Sequence, residues 1–289
     1  MKLKDQVALV TGGSRGIGKA IARSFLLEGA YVVICARSKN DVESTQSDFR
    51  KSELKKIFGI SADISKPNQV KTIFEKTESL FGPVDILVNA AGTQTPYGFL
   101  VDTDDQDWIS CVQTNLIGTM LCTKYALRSM VSRKKGKVLN FSGGGSFNPR
   151  PYFSAYASSK AAVVRFTETI AEEVLSSNIN VNAIAPGPVD TQLFAEALSA
   201  KEKIGEKNWT KMIALKERGI NPPEFVCDLA LFLVSNESDW ISGKVISAPW
   251  DDWENLETKK QDLAGSSLLT MRRIDGRNFF EKKDSIDWW

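Results

Sequence analysis

The sequence predicts an α/β fold, a doubly wound parallel sheet covered by helices on both faces. Three observations predict it. Short β-branched runs alternate with amphipathic helical stretches from the first residues onward. The strand-like runs look buried on both sides, as parallel strands between two helix layers must be. A glycine-rich turn, Thr11 to Gly18, joins the first run to the first helical stretch.

The predicted strands are Val7–Val10, Tyr31–Cys35, Ile57–Ser61, Ile86–Asn89, Val138–Phe141, Asn180–Ala185 and Lys244–Ser247. Helical spacing of apolar residues falls near 17–28, 67–81, 105–133, 153–175 and 222–235. No repeat, low-complexity stretch or linker interrupts the chain through residue 250. One domain over 1–250 is therefore predicted, followed by an extension over 251–289.

Composition narrows the function classes. The chain has 289 residues, 42% hydrophobic and 25% charged, an ordinary globular balance. A net charge of +2 with interspersed signs points to neither nucleic acid nor an anionic membrane. There is no histidine, which removes His-based triads and most zinc sites. Cys35, Cys111, Cys122 and Cys227 are widely spaced and read as buried thiols in a reducing compartment. The charged N-terminus and the lack of a long apolar run predict a cytoplasmic protein without a membrane span.

In the turn T-G-G-S-R-G-I-G, glycines at 12, 16 and 18 let backbone pass close to a ligand. The helix that follows offers unpaired N–H groups to a diphosphate. A tight β–α connection with no ligand is the alternative for this turn taken alone. The second strand ends Ala36-Arg37, where a site for NAD would place an acid on the ribose. Arg37, with Arg15 in the turn, suits a 2′-phosphate, so NADP(H) is expected over NAD(H). Solvated surface arginines would look the same.

Tyr156 and Lys160 lie four residues apart in a helical run, on one face and a turn apart. An unperturbed phenol, with a pKa of about 10, is a poor acid near neutrality. A neighbouring ammonium favours the phenolate, and a phenol so tuned serves as acid or base while hydride moves. A surface lysine beside a half-buried tyrosine is the plain alternative.

Taken together, T-G-G-S-R-G-I-G, Asn89-Ala90-Ala91-Gly92, Asn115, Tyr156-x-x-x-Lys160 and Pro186-Gly187 resemble the short-chain dehydrogenase/reductase family over roughly residues 4 to 248. The resemblance implies a Rossmann-type seven-stranded parallel sheet in the order 3-2-1-4-5-6-7, with ligands at the carboxyl ends of the strands. It implies that Gly12, Ser14, Arg15, Gly16, Ile17 and Gly18 cradle the cofactor diphosphate. Asp63 would hydrogen-bond the adenine with Ile64 beside it, and at the end of the fourth strand Asn89 would tie strands together while the backbone through Ala90 and Gly92 passes the cofactor ribose. Asn115 would kink the long helix and hold a water leading to the lysine. Pro186, Gly187, Val189 and Thr191 would close over the nicotinamide. Tyr156 would be the acid/base, with Lys160 lowering its pKa and binding ribose hydroxyls.

Two departures qualify the resemblance. The family serine stands thirteen positions before the tyrosine, where this chain has Gly143. Ser142 is one residue earlier, and a bulge among three glycines would return its hydroxyl to the substrate oxygen. Ser146 is the fallback, and a site with no serine is the third possibility. The second departure is the segment after Ser247, which carries Trp250, Trp253, Trp288 and Trp289 with Arg272, Arg273 and Arg277. Its aromatic content predicts a docked segment, over the cleft, across a subunit boundary, or as plain packing. Its arginines allow an anionic substrate such as an acyl-phosphopantetheine or a nucleotide sugar. Residues 191 to 221 are expected to build the substrate pocket, with Phe194, Trp209 and Met212 lining it or forming the apolar face of lid helices.

The expected function is NADP(H)-dependent interconversion of a small carbonyl compound and its alcohol by a homodimer or homotetramer. The alternatives are an NADP(H)-binding regulatory or scaffold protein, and a dehydrogenase or epimerase of sugar alcohols or nucleotide sugars.

Overall fold

The computed structural model describes residues 1–273. Seven strands form one parallel sheet: β1 (Val7–Thr11), β2 (Tyr31–Ala36), β3 (Ile57–Ser61), β4 (Ile86–Asn89), β5 (Gly136–Phe141), β6 (Ile179–Ala185) and β7 (Val245–Ser247). Their order is β3-β2-β1-β4-β5-β6-β7, with every neighbouring pair parallel. The winding direction reverses between β1 and β4. That reversal opens a crevice at the carboxyl ends of those two strands.

Strand periodicity sorts the core into two layers. Ala8 and Val10 of β1 face a cluster with Ile21, Phe25, Leu229 and Val234. Leu9, between them, faces Ile73, Leu121 and Met130 on the other side. The first layer is carried by α1 (Gly16–Leu27), the second by α3 (Pro67–Phe81). Between these two lies α2 (Lys39–Lys51), a helix that apolar spacing alone did not reveal. Only Val42, Thr45 and Phe49 of its thirteen residues are buried, so its stripe is too thin to stand out. Its start is nonetheless marked, because Ser38 Oγ accepts from Asp41 N at 3.2 Å.

The stretch predicted as one helix over 105–133 is three pieces in line. These are α4 (Asp105–Val112), a π-turn (Gln113–Ile117) and α5 (Gly118–Arg133). A π-turn inserts one residue into the helical ladder and re-aims the side chains around it. Asn115 lies inside it, fully buried. Next come α6 (Ser154–Glu173), then α7 (Gln192–Ser199), α8 (Lys201–Ile204) and α9 (Glu206–Glu217). The last three pack against the start of α6 through Met212, Ile204 and Ala197, beside Phe153 and Tyr156. The helix predicted over 222–235 is a 3-10 turn, Pro223–Val226, leading into α10 (Cys227–Val234).

Beyond β7 the chain folds back onto the same sheet. A 3-10 turn, Trp253–Lys259, and the short α11 (Lys260–Leu263) bury Leu256 and Leu263 in the first core layer. Trp253 packs against Phe232, ring centroids 6.1 Å apart, whereas Trp250 is 73% exposed. Leu269 O accepts from Val245 N at 2.8 Å, along the outer edge of β7. Lys244 Nζ donates to Ser266 O and Leu268 O. Buried Glu168 of α6 accepts from Met271 N and pairs with Arg272 at 3.3 Å. Arg277, Trp288 and Trp289 lie outside the described residues.

Candidate active site

The crevice has a backbone side and a side-chain side. On the backbone side, Gly12 takes φ +65°, and a Cβ there would stand 2.8 Å from Ala91 Cα. A Cβ on Gly18 would fall under 3.0 Å from Gly12 O. These glycines are thus required first by the packing of the turn on β4 and on its own helix. Arg15 is the N-cap of α1 and makes no side-chain cap, so the first N–H groups of a twelve-residue helix remain for another acceptor. That is the donor set a diphosphate takes.

The other cofactor candidates gather around this turn. Ser14 O accepts from Thr45 Oγ1 at 3.0 Å, which ties the turn to α2. Ile17 packs partly buried on the first core layer. Arg37 is exposed at the end of β2, and its carbonyl accepts from Ser61 Oγ. Among the described residues neither Arg37 nor Arg15 pairs with a carboxylate, but Arg15 donates to Gln192 Oε1 at the start of α7. Asp63 turns a carboxylate oxygen onto Ser65 N at 2.9 Å. Ile64 is buried against Gly118, so its side chain belongs to the core.

Asn89 binds β4 to β5 and α5, donating to Asn140 Oδ1 at 2.9 Å and Thr123 Oγ1 at 3.2 Å. Ala90 packs partly buried beside it, and Gly92 lies where a Cβ would stand 3.2 Å from Asn115 Oδ1. The segment after β6 comes to the same place. Pro186 precedes Gly187, which has φ +70° and lies against Pro249. Val189 bridges to Asn221, and the Thr191 methyl would sit 3.4 Å from a Cβ on Gly16.

On the side-chain side, α6 carries Tyr156 and Lys160. Its entry is clamped from three directions. Trp108 Nε1 donates to Ser154 Oγ at 3.1 Å, Asn208 Nδ2 to Pro151 O at 3.2 Å, and Gly98 N to Tyr152 O at 3.0 Å. Tyr152 takes φ +70°, a left-handed conformation that a bulky residue holds only when its surroundings fix it. Asn115 bridges from the π-turn, donating to Thr93 O and to Ser159 Oγ, both at 2.9 Å. Ser159 in turn donates to Tyr156 O at 2.8 Å. Lys160 is buried, and its Nζ donates to Phe141 O at 2.9 Å.

Two expectations change here. Burial pushes the Tyr156 phenol up, and the cation acting against that is Arg150, not Lys160. Lys160 is itself stripped of water, which brings its pKa down to about 8. The second change concerns the serine. Ser142 Oγ is turned onto Ile184 O at 3.4 Å, and it is the α-carbon of Gly143 that abuts the phenol. A Cβ on Gly143 would overlap Tyr156 Oη, so the phenol fills the room a serine would use. Ser146 Oγ closes a local turn, donating to Gly143 O at 2.8 Å and accepting from Gly143 N at 3.1 Å.

Three residues of the phenol's surroundings were not singled out by the sequence. Arg150 stacks on Phe153 with its guanidinium carbon 3.7 Å from the ring centroid. Gln94 presents its carboxamide to the phenol. Tyr97 packs edge-on to Phe153 at 5.1 Å, and burial raises its phenol to about 12. A lone arginine between two prolines, Pro149 and Pro151, was the signal available for the first of them. Met212 is buried in the cluster that contains Tyr156, and Phe194 and Trp209 pack against it. Among the described residues no cluster of Cys, Asp and Glu could hold a metal, and no helix is long and apolar enough to cross a membrane.

The family model for short chain dehydrogenases matches residues 6–202. The 3-oxoacyl-(acyl-carrier-protein) reductase of Chlamydia muridarum is 34% identical over 245 residues, 85% of this chain and 96% of its own. An NADPH-dependent aldehyde reductase-like protein of Arabidopsis thaliana, described as chloroplastic, is 34% identical over 260 residues, 85% of this chain and 93% of its own. Among solved structures, an actinorhodin polyketide ketoreductase variant with NADPH superposes with a TM-score of 0.77 at 28% identity, covering 84% of this chain and 95% of that one.

Proposed function

The chain belongs to the short-chain dehydrogenase family, and from that premise we propose that it interconverts a carbonyl and a secondary alcohol with NADP(H). The observation that carries this reading is a buried tyrosine on a clamped helix, one turn from a lysine whose Nζ would stand 3.8 Å from a Cβ on Gly92 just beyond β4, in a fold whose first helix starts uncapped after the neighbouring β1. Gly12 to Gly18, Asn89 to Gly92 and Pro186 to Thr191 are the residues that would hold the dinucleotide. When bound, its nicotinamide supplies or accepts the hydride. The chain's own part is the proton. Tyr156 gives it to the carbonyl oxygen in reduction and takes it back in oxidation.

Burial keeps that proton on the phenol until the oxygen it faces becomes basic, as a developing alkoxide does. Lys160, at about 8, exchanges protons near working pH and can restore the phenol's. Asn115 fixes the loop after β4 and the helix turn that carries Tyr156, which makes it a positioning residue. With Ser142 turned away, the Gln94 carboxamide is an uncharged donor beside the phenol. The preference for NADP(H) is supported by Arg15 and Arg37, by Ala36 in place of an acid, and by the NADPH named for two of the similar proteins.

Domain 1–250 with an extension over 251–289 fits the single sheet and the packing of 251–273 upon it. Assembly into a homodimer or homotetramer is supported by exposed Ile109, Ile117 and Val131 along α4, the π-turn and α5. Light scattering of the purified chain tests that assembly.

Tyr156→Phe is expected to lower turnover by about 10³-fold or more over a panel of ketones and aldehydes, while NADPH still binds. An active phenylalanine variant overturns the mechanism. A dissociation constant for NADH at or below that for NADPH overturns the cofactor preference. A glycine at position 143 also favours a second reading, a protein that binds NADP(H) without turnover. NADPH consumption by the wild type on the same panel separates the two.

A further inference from the structure

Beside the phenol stands a cation that meets no carboxylate among the described residues. Arg150 is half-buried, lies over Phe153, and has its guanidinium carbon 5.6 Å from the Tyr156 ring centroid. Among the described residues it forms no ion pair. Glu196, the acid that acts on neighbouring Tyr97, is exposed and accepts from Gln192 at 2.8 Å instead. The groups that act on Arg150 are the two phenols, Tyr156 and Tyr97. A guanidinium drawn from water without an anion is costly, and its planar fork fits a carboxylate in particular.

Two more polar atoms on this wall are buried and unpartnered, Tyr97 Oη and Gln94 Oε1. Buried polar atoms are nearly always satisfied in a finished site. Two unmet buried atoms and a half-buried guanidinium with no carboxylate beside it therefore mark a place built to be completed by a polar molecule. The donors predominate: five N–H on Arg150 and one O–H on Tyr97. An uncharged ketone would leave most of them unpaired, and a site of that kind rejects such a molecule strongly.

Resting on the reaction proposed above, we propose that Arg150 is the anion receptor of the substrate pocket and that the substrate is an oxo acid. Its carboxylate pairs with Arg150 and accepts from Tyr97, while its carbonyl oxygen meets Tyr156. The carboxylate takes no part in bond making. The carbon–oxygen π bond breaks as hydride from the nicotinamide reaches the carbon, and the oxygen takes its proton from Tyr156. The guanidinium then serves a second purpose, since its charge opposes the rise that burial imposes on the phenol.

The test compares pyruvate, acetoacetate and levulinate with their methyl esters as substrates of the NADPH-saturated enzyme. The readout is the ratio of kcat/KM for each acid to that for its ester. For at least one pair the wild type is expected to favour the acid by about 30-fold or more. Arg150→Ala brings that ratio toward one, mainly through KM, and Arg150→Lys restores part of it. Reading the ratio cancels any effect on the phenol's acidity, which acid and ester share. Ratios near one in the wild type for all three pairs, or equal losses of acid and ester in Arg150→Ala, overturn the assignment.

A second measurement is independent of turnover. Calorimetric titration of the three acids into NADP⁺-saturated Tyr156→Phe protein should show binding that the added Arg150→Ala removes. Such binding by a wild type that turns over none of the substrates keeps the anion site and sinks the reaction. Turnover without acid preference keeps the reaction and sinks the anion site.

Discussion

The two sides of the crevice are built from different materials. The side proposed for the cofactor is backbone: a turn whose glycines are packed against Ala91 and against each other. The side proposed for the substrate is side chains brought from four places, the loop after β4, α4, the turn before α6 and α7 to α9. A backbone surface admits only glycine at its tightest points, so it writes itself into a short motif. A side-chain surface can be made in many ways, and no spacing announces it.

The largest expected effect attacks the backbone side. Gly18→Ala adds a Cβ under 3.0 Å from Gly12 O, with backbone on both sides and nothing flexible to yield. Alanine in a helix is worth about 1 kcal/mol over glycine, yet overpacking costs about 1–3 kcal/mol or more. We expect a net loss of thermal stability and of NADPH affinity, read by calorimetry and fluorescence titration. An unchanged melting temperature would show that the turn is more compliant than described.

A smaller effect is expected on the side-chain side. Gly143→Ser restores the residue common in the family, but here its Cβ overlaps Tyr156 Oη. The phenol can swing, so the cost is part of the overpacking range, about 1–2 kcal/mol in transition-state energy. Turnover should fall about tenfold, corresponding to about 1.4 kcal/mol, where resemblance alone predicts a gain. A faster Gly143→Ser enzyme would show that the phenol's position is adjustable.

The smallest effect concerns Lys160. Its folded pKa, about 8, lies below its ordinary 10.5. Between these values the unfolded chain holds a proton that the folded chain lacks, so stability gains with rising pH through that window. Lys160→Met removes this contribution, and denaturant midpoints at pH 8 and 10 should then differ less in its favour. The raised Tyr156 acts oppositely only above its ordinary value of 10, where the unfolded phenol ionises first. An identical pH dependence in wild type and variant would mean that the ammonium is better solvated than its burial implies.

What could be read in the sequence follows the same division. All seven strands were legible in the β-branched runs, and their order followed from the resemblance that the motifs carry. The α2 helix was not, since three buried residues leave too weak a stripe. The apolar spacing alone read 105–133 as one helix, because an inserted residue leaves that spacing nearly intact, and the break at Asn115 was expected only from the resemblance. Tyr156 and Lys160 were found by spacing, but the balance of charge around the phenol was not. Lys160 sits one turn away yet is turned onto Phe141 O, while Arg150 arrives from outside the helix. The side to which Ser142 points depends on strand register, which alternates with each residue and is invisible in a run of glycines.

One late contact has a consequence for the protein in a crowded solution. The final strand lies at the margin of the sheet, and such a margin invites a stranger's strand to pair with it. Here Leu269 already takes the N–H of Val245. The chain thus supplies its own guard rail, and a version ending near residue 250 should keep its sheet but clump with its neighbours.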